Sequence, residues 1–347
     1  MKSQISIFGL TLVRYYIQLG LFFYFKRIQV FGNTNIPKDK PFLLLSNHQN
    51  GLLDPLIIAV TYNRFAYFLT RAAVFKKPVV SKLLKCFRMI PIYRVRDGWQ
   101  TLANNEGVFK QCFDLLEVGE SIVIFPEGNH NLNRTVRSLS KGFTRIIVGA
   151  HKTNPNLDLQ LLPIGLNYAS ATQFPDCVAV FYGDVKSAKQ FVSEDDHQTV
   201  LNLKQAIQND LQDLTTHIPA ENYWSNLERL ERLGADFLNP KEVNNCISSD
   251  FNQCHFERKS SVSFVNKSFR QILKMVLFGP YLVWKLLVKP KIKEAEFIST
   301  FRFALAITLV PLWLFLVLLF CAFFYGVVLA ISVVTSICLI ALLAVKA

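Results

Sequence analysis

The sequence predicts an α/β protein, a largely parallel sheet flanked by helices, with an N-terminal membrane-associated helix and a C-terminal transmembrane hairpin. Three observations carry this reading. Short apolar runs alternate with stretches of helical character between residues 41 and 185, the pattern of a parallel sheet with crossover helices. Residues 303–345 contain no charged side chain, about twice what one bilayer crossing needs. Residues 5–25 are also apolar and rich in aromatic side chains.

Taken in order, the first segment is interrupted by Arg14 and Gln18 and ends in Lys26 and Arg27. It lacks a small-residue cleavage site, so it is not a removed signal peptide. A helix lying in the headgroup region suits Tyr15, Tyr16, Tyr24 and the flanking cations; a spanning helix is the alternative. Residues 41–45 read as a buried strand and residues 55–59 as the start of a helix. A second strand is expected at 66–70, a basic helix at 75–87 and a strand at 89–94. A helix follows at 100–118, closed by Gly119. Further strands are expected at 121–125, 159–168 and 177–185, with a turn at 126–128 and a helix over 141–152. Val200, Leu203, Ile207, Leu211 and Leu214 recur at helical spacing, and the acidic residues 194–196 suit that helix's first turn. In the last stretch, a single helix would overshoot the hydrocarbon, so two crossings reversing near Tyr325 and Gly326 are expected. Arg302 and Lys346 then flank them on one side, the cytoplasmic one by the positive-inside rule. One long tilted crossing plus a surface segment is the runner-up.

The 347 residues thus divide into a membrane-associated helix (1–29), an α/β domain (30–190), a helical extension (191–256), a basic membrane-surface segment (257–300) and the hairpin (301–347). The formal charge of +13 is concentrated. Residues 71–96 hold eight basic side chains and no acidic one, and residues 258–293 hold nine and none. Beside a bilayer such clusters meet anionic headgroups. Nucleic acid is a poorer fit, because the aromatic residues lie in apolar runs and form no stacking platform. The seven cysteines contain no CxxC pair, which suggests neither a disulfide framework nor a zinc site and fits a reducing compartment. The nucleophile elbow GxSxG, the phosphate loop GxxxxGK[ST] and the dinucleotide fingerprint GxGxxG are all missing.

The stretch NHQNGLLD at residues 47–54 lies at a strand-to-helix turn, where side chains can face a cleft. His48 can take a proton near neutral pH, and a carboxylate on its other nitrogen would fix its tautomer and stabilise the imidazolium. If residues 48–54 were all helical, six steps of roughly 100° would set the His48 and Asp54 side chains about 120° apart, so part of the stretch is loop. Asn50 and Gly51 supply the turn, since both tolerate left-handed backbone angles. Alone, the pattern is better explained by His48 capping the helix and Asp54 bonding local amides.

Four blocks in order change that balance. NHQNGLLD, FRMIPIYR at 87–94, FPEG at 125–128 and LPIG at 162–165 resemble the blocks of the glycerolipid acyltransferase family, the group that includes 1-acylglycerol-3-phosphate acyltransferases. The resemblance implies that fold, and His48 and Asp54 as catalytic pair. It further implies Arg94 as a contact to the acceptor phosphate, Glu127 and Gly128 as acceptor-binding residues, and Pro163 at a strand end on the acyl-donor side. It implies transfer of an acyl group from acyl-CoA or acyl carrier protein to a lysophospholipid hydroxyl, with membrane phospholipids as surroundings and no cofactor or metal. Glu127 is expected to accept a hydrogen bond from an acceptor hydroxyl or to steady Arg94. Backbone amides at the turn would serve the oxyanion, and His130 is the one other histidine worth testing. Two departures stand out. Five residues separate His48 from Asp54 where four are common, a spacing similar to glycerol-3-phosphate or dihydroxyacetone-phosphate acyltransferases. FPEG continues as Asn129-His130 where Thr-Arg or Thr-Ser is common. A membrane-anchored, lipid-binding scaffold without turnover is the reading from another class.

Overall fold

The computed structural model describes residues 7–94, 98–256 and 264–346. Ile5, Arg96, Arg258 and Lys259, which belong to the expected first helix and the two basic clusters, lie outside them. Helix α1 (Ile7–Tyr24) leads directly into strand β1 (Phe25–Phe31). Then come β2 (Phe42–Ser46), α2 (Leu53–Thr61), β3 (Ala66–Arg71), α3 (Pro78–Cys86), β4 (Met89–Ile92), α4 (Asn105–Glu117) and β5 (Ser121–Ile124). Helix α5 (Gly142–Thr153), β6 (Gln160–Tyr168), β7 (Asp176–Tyr182) and the short β8 (Lys186–Ser187) complete the α/β part. Helices α6 (Asp196–Leu214), α7 (Tyr223–Arg232) and α8 (Pro240–Ser248) follow, then α9 (Phe264–Val276), α10 (Phe278–Leu282), α11 (Ile298–Tyr325) and α12 (Val327–Lys346).

The eight strands form one sheet in the order β1-β7-β6-β2-β5-β3-β4, with β8 beside β6. Every pairing is parallel except β6 with β7 and β6 with β8, so the expected largely parallel sheet is present. β2 is central and buried on both faces, which is why it reads as an unbroken apolar run. Phe42 and Leu44 enter one core, with α1, α2 and Phe303 of α11. Leu43 and Leu45 enter the other, under α4, α5 and α6. A third, smaller core holds α7 and α8 together.

Three expectations need correction. Residues 25–31 are a sheet strand, so the expected boundary between residues 29 and 30 falls inside β1. Lys26 and Arg27 follow α1 at once, as its expected flanking cations, and are exposed positions of this strand, which pairs in parallel with β7. Cys246 and Cys254 are joined in a disulfide across eight positions, against the expectation of none. That separation matches no recognisable framework, and only the fold of α8 back on its own exit brings the two together. Pro163 is not at a strand end. It is buried inside β6, opposite Leu45, in the gap where β8 pairing has ended and β7 pairing has not begun. There its missing N–H breaks no ladder bond, while its carbonyl accepts the amide of Gly183.

Among the described residues three helices are long and apolar enough to cross a bilayer: Ile7–Tyr24, Ala295–Tyr325 and Val327–Lys346. The chain reverses between the last two at Gly326, whose φ of 90° favours glycine. Both outer ends of this pair return to the α/β domain. Ser299 accepts from the Tyr24 hydroxyl at 3.4 Å through its carbonyl, and the Lys346 ammonium reaches the Phe25 carbonyl at 2.7 Å. Arg302 and Lys346 therefore stand at the same end of the pair, as expected. The segments Lys267–Val276 and Phe278–Lys291 meet at 97° and together are apolar enough for a bent crossing.

Candidate active site

β2 ends at the carboxyl edge of the sheet, and the next residue fixes the direction of exit. The Asn47 side-chain amide donates to the Leu166 carbonyl at 2.9 Å and accepts the Leu166 amide at 2.8 Å, extending the β2–β6 ladder by a side chain. His48 follows. Its main-chain carbonyl accepts the amide of Asn131 at 3.0 Å, tying it to the segment after FPEG. Its ring stacks on Phe125, centroids 4.1 Å apart, and is only 10% exposed.

Residues 49–52 form the loop that the geometry required, and α2 begins at Leu53. His48 Nδ1 lies 2.8 Å from Asp54 Oδ2, with the aspartate side chain fully buried. The same oxygen accepts the Asn50 amide at 2.7 Å, and Oδ1 accepts the Tyr168 hydroxyl at 2.5 Å. All of these partners donate to a carboxylate, so Nδ1 of His48 carries its proton and the lone pair of Nε2 is left to act as a base. Asn50 and Gly51 turn the chain without left-handed angles. Gly51 is needed for a different reason: a Cβ there would sit 2.9 Å from the Phe297 ring.

Glu127 and Gly128 close a turn after β5, the Gly128 amide donating to the Phe125 carbonyl at 3.0 Å. Gly128 has φ +79° and open space around it, so the backbone angle alone asks for glycine. Glu127, 4% exposed, does not steady Arg94. Its Oε2 accepts from Arg137 Nε at 2.7 Å, and the Arg137 guanidinium also reaches the side chain and carbonyl of Asn129. Burial pushes the Glu127 carboxyl up, and Arg137 pulls it part of the way back. His130 stands 5.7 Å from the His48 ring; burial and that neighbouring imidazole hold its pKa below the ordinary value.

Arg94 follows β4 and is half-buried. It leaves the same edge of the sheet as His48. The order β2-β5-β3-β4 puts three strand spacings, about 14 Å, between their strands. The structure thus brings together His48, Asp54, Glu127, Gly128 and His130, sets Arg94 along the edge, and leaves Pro163 within the sheet. A small polar pocket lies beside His48, bordered by Gln49, Glu127, Asn131 and Thr216. Within it the Oε1 of buried Gln49 has no partner among the described residues. Sequence reasoning missed Tyr168 and Arg137, gave Asn50 only the turn, and gave Asn47 no role of its own. Tyr168 is 114 positions from Asp54, and no spacing rule connects them.

The acyltransferase family profile matches residues 27–167. A chloroplastic 1-acyl-sn-glycerol-3-phosphate acyltransferase of Arabidopsis thaliana is 26% identical over 119 residues, 34% of this chain and 32% of that protein. The 1-acyl-sn-glycerol-3-phosphate acyltransferase of Borreliella burgdorferi is 27% identical over 131 residues, covering 38% and 50%. The glycerol-3-phosphate O-acyltransferase 2 of Saccharomyces cerevisiae is 26% identical over 120 residues, covering 33% and 16%. The chain spans half or less of the length of each of these relatives. Among solved structures, the 1-acyl-sn-glycerophosphate acyltransferase PlsC of Thermotoga maritima superposes with TM-score 0.43 at 20% identity, over 59% of this chain and 80% of that one.

Proposed function

We propose, from the match of residues 27–167 to the acyltransferase family profile, that the chain transfers a fatty acyl group from a thioester to a lysophospholipid hydroxyl. The acceptor that fits best is 1-acylglycerol-3-phosphate, giving phosphatidate. The observation that carries the reading is the 2.8 Å contact of His48 Nδ1 with a buried carboxylate, which leaves Nε2 as the base.

An acceptor hydroxyl is too weak an acid to attack a thioester unaided at neutral pH. Nε2 of His48 removes its proton as the oxygen bonds to the thioester carbon, and Asp54 stabilises the imidazolium. The C–S bond then breaks, and the departing thiolate takes the proton back. No acyl-enzyme and no cofactor is used; acyl-CoA or acyl carrier protein is a co-substrate. Arg94 holds the acceptor phosphate by paired hydrogen bonds. Glu127 and Gly128 form the turn that borders the acceptor. Pro163, being buried in β6, acts through the sheet and touches no substrate.

The apolar helices α1, α11 and α12 anchor the enzyme in the membrane where its acceptor resides, with the α/β domain on the cytoplasmic face. Alkylation of Cys246 and Cys254 in intact cells tests the orientation. Disulfides persist in oxidising compartments, so a bond that resists alkylation there would overturn the cytoplasmic assignment.

A second acceptor is favoured by the five residues between His48 and Asp54, the spacing that resembles glycerol-3-phosphate or dihydroxyacetone-phosphate acyltransferases. Membranes carrying the protein, given labelled acyl-CoA or acyl carrier protein and a panel of these acceptors, decide between them. His48→Ala should abolish transfer while the protein remains folded. Binding of lipid without any transfer by the native chain would overturn the enzyme in favour of a scaffold.

A further inference from the structure

The family match ends at residue 167, yet the site is entered by a segment 130 positions later in the chain. Phe297 and Thr300, at the start of α11, touch the loop that carries His48 and Asp54. Leu52 stands at the N-cap of α2 and has no side chain able to cap it. Such a position leaves main-chain N–H groups without a helical partner. Thr300 supplies what is missing: its hydroxyl accepts the Leu52 amide at 3.1 Å and donates to Asn50 Oδ1 at 3.1 Å.

Asn50 passes this restraint on. Its Oδ1 also accepts the Leu53 amide at 3.3 Å, and its own amide donates to Asp54 Oδ2, the oxygen that His48 Nδ1 meets. Three hydrogen bonds therefore join Thr300 to the His48 ring. Beside them the buried Ser299 hydroxyl donates to the Ala171 carbonyl at 2.7 Å, and Arg302 reaches the Thr172 carbonyl at 3.0 Å. Phe297 covers Gly51 and meets the His130 ring edge-on, centroids 4.6 Å apart.

We propose that Thr300 is a positioning residue for the His48–Asp54 pair, so that the seating of the first helix of the C-terminal apolar pair on the α/β domain sets the geometry of the base. The inference rests on the acyltransferase reading for its kinetic consequence but not for its structural one. A spacer of five residues has no helical register to hold it, and the bonds that close it come partly from α11.

The test uses the full chain in lipid nanodiscs. Thr300→Val keeps the shape and removes the hydroxyl; Thr300→Ser keeps the hydroxyl. Thr300→Val should lower kcat about tenfold, the order expected for two lost hydrogen bonds, with KM for donor and acceptor within about twofold. Thr300→Ser should restore kcat, a rescue that a merely apolar contact would not give. Hydrogen exchange of the peptide covering residues 47–56, read by mass spectrometry, should be faster in Thr300→Val and native-like in Thr300→Ser. If the valine variant does not accumulate, Thr300→Cys replaces it with a weak hydrogen-bonding group of similar size. Native exchange in the valine or cysteine variant overturns the proposal whether or not the protein proves to be an acyltransferase. An absence of transfer by the native chain, with exchange altered as expected, overturns only the enzymatic reading.

Discussion

Replacing Asp54 by asparagine separates the two services the carboxylate gives His48. Oδ2 accepts two N–H groups, from His48 Nδ1 and from the Asn50 amide, whereas Oδ1 faces a hydroxyl, that of Tyr168. An asparagine amide that turned its NH2 toward His48 would set it against two donors. Turned the other way, its oxygen keeps both bonds and its NH2 meets the Tyr168 oxygen, which can accept. The tautomer of His48 is therefore preserved in Asp54→Asn, and only the negative charge is lost. Two unit charges centred about 4 Å apart at an effective dielectric near 20 attract by roughly 4 kcal/mol, which is about a thousandfold in rate if the imidazolium is fully formed in the transition state. Initial rates of thioester-dependent transfer in nanodiscs, normalised to folded protein, measure it. A loss below about tenfold would refute the role of the charge. A loss equal to that of His48→Ala would refute the orientation argument and show that the amide had turned.

Tyr168→Phe leaves the Asp54 Oδ1 buried without its donor, so the protein should lose roughly 2 kcal/mol, the order of one charge-assisted bond. Thermal unfolding would register it, with kcat changed only a few-fold; a collapse of kcat to the level of His48→Ala would instead make Tyr168 part of the chemistry. Arg137→Ala strands the buried Glu127 carboxylate. Its cost should be about 2 kcal/mol, below that of a fully buried pair because Arg137 itself is partly exposed, and Arg137→Lys should recover part of it; an unchanged melting temperature would dismiss the pair as structural support. His217 accepts the Val136 amide through Nδ1, and burial holds its pKa below 6.5. A depressed pKa means that the fold favours the neutral ring, so this contribution is present above pH 6.5 and is lost as pH falls through the folded-state value. His130 has the same sign. Melting temperatures should therefore drop between pH 7 and pH 5.5, and His217→Gln should flatten that drop; a drop unaltered in the variant would assign it elsewhere.

The parts of the fold legible in the sequence were those with local causes. The run at residues 42–46 could be read as a strand because a centre strand buried on both faces needs no alternation. The His48–Asp54 pair could be read because both residues sit at one strand-to-helix turn. β1 could not, because its Lys26 and Arg27 looked like the polar border of α1, and only the edge formed by β7 explains a strand there. The Thr300–Leu52 and Tyr168–Asp54 bonds span 248 and 114 positions. Such bonds are products of tertiary packing, and no propensity or period encodes them. Gly51 shows the same limit in one residue: its identity suggested a left-handed turn, but what it accommodates is the ring of Phe297, contributed by the far end of the chain.

The extra residue between His48 and Asp54 bears on the acceptor only by its resemblance, and the geometry adds a second line of argument. The spacer closes on itself through Asn50 and delivers the aspartate to the first turn of α2, where the helix dipole favours a carboxylate. The longer loop thus still brings His48 Nδ1 within 2.8 Å of Asp54, and on the proposed reading the groups around the pair also bear on the choice of acceptor. After FPEG, where Thr-Arg would have supplied a second cation, Asn129 is bound by Arg137 and His130 lies against His48. Burial and the His48 ring favour the neutral form of His130. On the proposed acceptor reading, position 130 therefore adds no positive charge to that of Arg94. His130→Arg should accordingly lower KM for phosphorylated acceptors, by a factor of roughly three to ten for one added charge-assisted contact, while leaving unphosphorylated lysolipids unaffected. An equal change for both acceptor types would show that position 130 shapes the site by bulk, and that the acceptor phosphate is read somewhere other than beside the base.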